Sequence, residues 1–354
     1  MQIRNPAFFE APSFWKSDWG EVNAYLDGVK AGQVWEIGRS HGGLPIRAVA
    51  YGPKEPIERR GNPFSAEAFG HPEDFFDPRK RTRPVVVLIS TVHGVEIEGC
   101  VACLNFAHLM ESGADLRGRR WEALHELAAG MRVVLVPLAQ PDGRVRSAVR
   151  HLRGGSLADL SYYGQGVPKP DAGGDLPEGW HYRYSPVPVD RMEYQGGYTN
   201  DGGINIDLDD FFSAHMAPET RALMDLVRDE TPDGFLVMHS HNPGPWIASP
   251  NALVPERCQY HQVQLGALVA ARHRRDDLRP AWRAKAGLDR SGYFGTINLP
   301  TALHHVSGAL PLAFEFPHGL APNPYTFDEI LDIGLTLFEE ILRYIQTWGR
   351  QRGR

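Results

Sequence analysis

His93 and Glu96 stand three apart in Ser90-Thr91-Val92-His93-Gly94-Val95-Glu96-Ile97-Glu98-Gly99, directly after an apolar run. An imidazole nitrogen and a carboxylate oxygen are what zinc takes in a catalytic site, which keeps three protein ligands and one open position for water. Residues at this spacing project the same way if the chain bends into a helix there, so one short turn can supply two ligands. A distant third is needed. His239, in Leu236-Val237-Met238-His239-Ser240-His241-Asn242, emerges from another apolar run, and His241, on the same face by strand alternation, competes with it. Glu315 interrupts the apolar segment Pro311-Leu312-Ala313-Phe314-Glu315-Phe316, where a carboxylate is costly unless it is paired or used for chemistry.

The elements that must position these groups are legible as short, apolar, turn-bounded runs. Strands are expected at Val85 to Ser90, Arg132 to Leu138, Gly234 to Met238 and Leu312 to Phe316. Amphipathic helices are expected at Gly99 to Met110, Trp121 to Ala129, Ala217 to Arg228, His261 to Arg272 and Thr326 to Trp348. Alternation of the two types predicts an α/β fold, a three-layer α/β/α arrangement with a mixed, largely parallel central sheet. Ligands in such folds sit at the carboxyl ends of the strands. His93, the turn Gln140-Pro141-Asp142-Gly143, His239 and Glu315 all fall there. The stretch from Gly154 to Gly203 is rich in Gly, Pro and Tyr without a sustained period, and reads as a long functional loop in a single domain spanning residues 1–354.

Composition narrows the classes. With 37 Lys plus Arg against 43 Asp plus Glu in 354 residues, the net charge is −6, which argues against nucleic-acid and anionic-membrane partners. No window is apolar enough to span a bilayer and no signal-peptide core is visible, so the expected setting is cytoplasmic. Three cysteines imply no disulfide framework. Cys100 and Cys103 form a CxxC, but their helical apolar context reads as packing rather than redox or zinc chemistry.

In islands from about Trp35 to Pro317, the chain resembles the zinc carboxypeptidases related to carboxypeptidase A. Glu36-Ile37-Gly38-Arg39-Ser40-His41-Gly42-Gly43-Leu44-Pro45-Ile46 looks like the family's Ile-Gly turn followed by Gly-Arg-Pro-Ile, with Leu44 replacing Arg. Val86 to Glu96 looks like its strand and HxxE; Asn-Pro-Asp-Gly corresponds to Gln140-Pro141-Asp142-Gly143; Val237-Met238-His239-Ser240 and Pro311 to Phe316 resemble two further strands. The resemblance implies one zinc held by His93, Glu96 and His239, with Glu315 as general base. Arg150-His151-Leu152-Arg153 is similar to the family's Arg-x-x-Arg, which gives Arg153 the role of polarising the scissile carbonyl, with Arg150 in reserve at the substrate.

The pattern departs at Gly203-Ile204-Asn205-Ile206-Asp207-Leu208-Asp209-Asp210-Phe211, where Asp207-Leu208 stands in place of the Asn-Arg that clamps a substrate carboxylate in the family. Either the clamp has moved to another arginine such as Arg144 or Arg146, or the substrate lacks a free carboxylate at that point; Asp207 or Asp209 then meets a cationic group on an amine or amino-sugar substrate, or these acids simply cap a turn. His304, or else Tyr293, is the candidate to replace the family's mobile tyrosine. The reading that follows is a zinc-dependent hydrolase of amide bonds, most simply a metallocarboxypeptidase. The alternatives are a zinc deacylase of N-acyl amino acids, like the desuccinylase and aspartoacylase relatives, and an inactive binding module. The expected substrate is a peptide or an N-acyl amino acid.

Overall fold

The computed structural model describes residues 2–71, 74–171, 184–242, 244–247, 253–283 and 295–351. Its strands are β1 (Gln33–Arg39), β2 (Pro45–Tyr51), β3 (Val85–Ile89), β4 (Arg132–Val136), β5 (Val167–Pro168), β6 (Met192–Tyr194), β7 (Gly234–His241), β8 (Trp246–Ile247), β9 (Trp282–Arg283) and β10 (Leu310–Pro317). Eight of them form one sheet in the order β1-β2-β4-β3-β7-β10-β8-β9, while β5 and β6 pair separately. The four strands expected from sequence are the contiguous, mutually parallel centre, β4-β3-β7-β10. Antiparallel neighbours flank that centre on both sides, β2 against β4 and β8 against β10.

Alternate residues of the central strands feed two cores. Val86, Leu88, Val133 and Leu135 pack under the helices Glu98–Ser112, Glu122–Ala129 and Phe327–Gln351. Val87, Ile89, Val134 and Val237 pack on the other face under Pro218–Glu230 and Leu299–Ser307. Each such side chain, wholly withdrawn from water, contributes about 1.5–3 kcal/mol, so sheet position is fixed from both sides. Cys100 and Cys103 belong to the first core, and burial pushes the Cys100 thiol up to about 12; they are packing residues, as expected.

Three details differ from the sequence expectation. Strand β7 runs on to His241 because β10 continues beside it, pairing Glu315 with His239 and Pro317 with His241. The HxxE segment is not helical: Glu96 N–H donates to the His93 carbonyl at 3.0 Å, closing a turn, and the helix begins only at Glu98. That turn is held by backbone. Gly94 N–H donates to the Gly197 carbonyl at 2.7 Å, and the buried Arg144 guanidinium donates to the Gly94 carbonyl at 2.9 Å. The long loop is also more ordered than its composition suggests, with a turn of helix at Leu157–Leu160, the β5–β6 pair and stacked Tyr162 and Tyr194 rings; residues 172–183 lie outside the described ones.

A Cβ at Gly94 would lie 2.2 Å from the backbone of Gly143 and Arg144, which cannot yield as a side-chain tip would. Gly94→Ala is therefore expected to lower stability by roughly 3 kcal/mol. Gly130→Ala, at an ordinary right-handed position with only normal contacts, should raise it by about 0.5 kcal/mol. Urea unfolding midpoints of the two variants measure the contrast.

Candidate active site

Two central strands and one turn bring three ligand atoms together. His93 Nδ1 lies 2.9 Å from Glu96 Oε2, His239 Nδ1 lies 3.0 Å from the same oxygen, and the two nitrogens are 3.4 Å apart. Zinc bonds of about 2.0–2.1 Å in a tetrahedron place ligand atoms roughly 3.3 Å from one another, so these spacings fit a single ion. His241 is not in the cluster; one residue pair further along β7, its ring packs edge-on against Trp246.

The protonation chemistry agrees with that fit. Burial works against the His239 imidazolium, but its hydrogen bond to Glu96 and the charges of Asp207, Glu96 and Glu315 outweigh burial and push it up to about 10. His93 is raised for the same reason, by Glu96 against burial, and Glu96 is held far below the usual carboxylate range by the two imidazoles despite its own burial. The three groups form a locus that demands positive charge, supplied by protons or by a metal, and a metal would displace the protons.

Asn205 settles the tautomer of His93. Its Oδ1 accepts the Asp207 backbone N–H at 3.0 Å, which identifies that atom as oxygen, and the same oxygen lies 2.9 Å from His93 Nε2. The proton of neutral His93 is therefore on Nε2 and the lone pair on Nδ1, facing Glu96. Nothing in the sequence pattern singled out Asn205. A second unforeseen group lies behind the ligands: the buried Glu98 carboxylate accepts from Ser240 Oγ and faces His318 Nδ1 at 3.2 Å, tying the HxxE turn to the ends of β7 and β10. Only the three-dimensional pairing of those strands could have shown it.

Glu315 stands beside His239 in the parallel register, on strands about 4.8 Å apart. Burial raises its carboxyl, His239 pulls it back, and Glu96 and Asp207 push it up again, to about 7. Glu315, the three ligands, Asp207 and Tyr198 border one cavity of about 570 Å³ whose lining is otherwise largely apolar. The Tyr198 ring is tilted over His93, with centroids 4.8 Å apart.

The remaining expected residues are elsewhere. The Arg153 guanidinium lies 4.2 Å over the Phe327 ring and its Nε donates to the Tyr325 carbonyl, so the structure does not bring it to the cavity. Arg150 donates to Glu21 and to the Trp15 carbonyl, each at 2.9 Å. Neither Arg144 nor Arg146 has become a carboxylate clamp: Arg144 holds the Gly94 and Val149 carbonyls, and Arg146 holds Gly196, Thr199 and Asp201. His304 is buried under the helix it belongs to, with Nδ1 donating to the Ala309 carbonyl at 2.7 Å, and is not on the cavity wall. Asp209 accepts the Ala217 and Asp210 N–H groups, as a turn cap does. Tyr293 lies outside the described residues.

The model of the zinc carboxypeptidase family matches residues 29–276, a span that contains His93, Glu96 and His239 but stops before Glu315. Carboxypeptidase A from Helicoverpa armigera is similar in structure, with TM-score 0.55 at 17% identity over 99% of this chain and 76% of that one. A metallo-carboxypeptidase from Burkholderia cenocepacia gives 0.55 at 15% identity over 93% and 69%, and one from Pseudomonas aeruginosa gives 0.54 at 13% over 92% and 68%. Such low identities show a shared α/β fold. No match is found among curated proteins.

Metal analysis of the purified chain by mass spectrometry is expected to find about one zinc per chain. His93→Ala and His239→Ala should lose it and His241→Ala should keep it. Asn205→Ala, which frees His93 to rotate and change tautomer, should weaken zinc affinity by about 10–100-fold, read by competition with a chelating dye.

Proposed function

The chain belongs to the zinc carboxypeptidase family, and from that premise we propose that it is a zinc-dependent hydrolase of amide bonds, with one zinc on His93, Glu96 and His239 and Glu315 as general base. The observation that carries the reading is the convergence of two imidazole Nδ1 atoms on one oxygen of Glu96, with a further carboxylate in register beside His239. Zinc bound there would supply a Lewis acid for the carbonyl and a water acidified to about pH 7.

The chain's own groups do the rest. Glu315, a buried carboxyl raised by burial and by Glu96 and Asp207 against the pull of His239, stands in register beside His239, placed to take a proton from water and hand it to the leaving nitrogen. Asn205 holds the His93 proton on the nitrogen that faces away from the ligand locus. The apolar lining of the cavity excludes water from the acyl part of the substrate, which strengthens charge interactions at the carboxylates and imidazoles that share that cavity. Arg153 is tied to Tyr325 and Phe327, so it does not serve as a guanidinium partner for the carbonyl, and zinc held by His93, Glu96 and His239 would supply that polarisation.

The setting we propose is cytoplasmic, supported by three free cysteines, all buried, in a fold that has no use for a disulfide.

Glu315→Gln should retain zinc yet lower kcat by about 10²–10⁴-fold on whichever amide the wild type cleaves, screened across peptides, N-acyl amino acids and simple amides. A base must be ionised to act, so activity should fall as the pH drops through the Glu315 pKa; a metal dication beside it shifts that limb below about 7. Full activity in Glu315→Gln, or an acid limb unchanged by a residual-activity variant at this position, would remove Glu315 from the mechanism.

A further inference from the structure

The cavity has an unusual charge balance for an enzyme that would capture a substrate carboxylate. Glu96, Asp207 and Glu315 all border it, and among the described residues of its lining there is no lysine or arginine. A zinc dication balances two of the three carboxylates when Glu315 is ionised. One negative charge is left over. The arginines near enough in sequence to compensate are engaged in holding backbone carbonyls, Glu21, Asp201 and the Phe327 ring.

Asp207 is the cavity carboxylate that lies outside both the central strands and the HxxE turn. It sits in the 3-10 turn Ile206–Leu208, and its Oδ1 is buried with no hydrogen-bond partner; the nearest imidazole nitrogen, His239 Nε2, is 3.8 Å away, beyond hydrogen-bond length. A buried carboxylate oxygen that accepts no hydrogen bond is costly, and a donor entering the cavity would complete it. Next to it, Leu208 offers no charge at all. A carboxylate placed here would meet like charge, whereas an ammonium would find Asp207 in a cavity that Tyr198 and Trp246 also line.

Resting on the amide-hydrolase reading above, we infer that the substrate is an amide between an apolar acyl group and a small leaving amine that carries a second, protonated amino group and no carboxylate. The apolar lining residues Val254, Leu265, Val269, Leu337 and Ile341 take the acyl chain. Asp207 takes the ammonium. Hydrolysis consumes one water: its oxygen bonds to the acyl carbon, the C–N bond breaks, and the proton taken by Glu315 goes to the leaving nitrogen, so a carboxylate and a free diamine are released.

Zinc-loaded full-length chain is assayed with three matched probes, N-octanoyl-1,4-diaminobutane, N-octanoyl-butylamine and N-octanoylglycine. Wild type is expected to prefer the diamine amide over the neutral one by about tenfold or more in kcat/KM, and over N-octanoylglycine by a larger factor, with the difference mainly in KM. Asp207→Asn should collapse the diamine-to-neutral ratio to about one. Asp207→Arg should turn the preference towards N-octanoylglycine. A wild-type preference for N-octanoylglycine overturns this inference and leaves the amide-hydrolase reading standing. An Asp207→Asn variant that loses zinc and slows the diamine and neutral probes equally also overturns it, because Asp207 then serves only to position His239. Zinc-loaded chain that cleaves none of the probes, but does cleave a peptide, overturns the substrate class alone; a chain that takes up no zinc overturns the underlying reading.

Discussion

One buried negative charge organises this molecule. Glu96 is withdrawn from water between two imidazoles, one three residues before it and one 143 residues after it. An isolated carboxylate in such surroundings costs several kcal/mol, so the fold must deliver both histidines to the same oxygen or forfeit the turn that carries Glu96. Parallel pairing of β3 with β7 does this by fixing Ile89 beside Val237, two residues before His239 and four before His93. The fastening of the turn is independent of the ligands: it runs through Gly94 to Gly197 and through Arg144 back to Gly94. Arg144, fully buried and lowered to about 10 by that burial, stays charged and makes two hydrogen bonds to backbone carbonyls that would otherwise be unsatisfied.

The same register explains why Glu315 has its properties. Parallel strands in register put side chains of like parity on one face, so the carboxylate that follows Phe314 must stand next to His239. There it is caught between an imidazolium that favours its ionised form and burial plus two carboxylates that oppose it. The outcome near neutrality follows from position on the sheet, not from any special neighbour.

What the sequence disclosed divides along physical lines. Strands buried on both faces are continuous apolar runs, so β3, β4, β7 and β10 were legible, and so were the polar groups at their carboxyl ends. The edges were not: β1 is half-exposed with mixed polarity, and β8 and β9 have only two residues each, too few for any period. His93, Glu96 and His239 were visible as residue types in order along the chain. The arginines misled for a different reason. A guanidinium has a long stem and five donors, so its partner is decided by whichever carbonyls the fold leaves unpaired, and Arg150 and Arg153 were taken up by Glu21, Trp15, Tyr325 and Phe327. His304 was drawn into its own helix cap by the Ala309 carbonyl. Asn205 escaped notice because an asparagine in a turn is commonplace until a histidine is found at its oxygen.

Asn205 and Asp207 also show how recognition can change while the chemistry stays. Both belong to one short turn, capped by Asn205, whose oxygen accepts the Asp207 N–H. That oxygen faces His93, whereas the side chain two residues on borders the cavity. The backbone geometry is thus set by the residue that serves the ligand locus, and the identity of its neighbour is free of that duty. Exchanging a cationic or neutral side chain for an acidic one at Asp207 leaves the cap, the turn and the His93 tautomer untouched. It changes the charge presented to what enters the cavity and, through that charge, the proton affinities of His239 and Glu315, while the backbone contacts that place the His93, Glu96 and His239 cluster stay as they are.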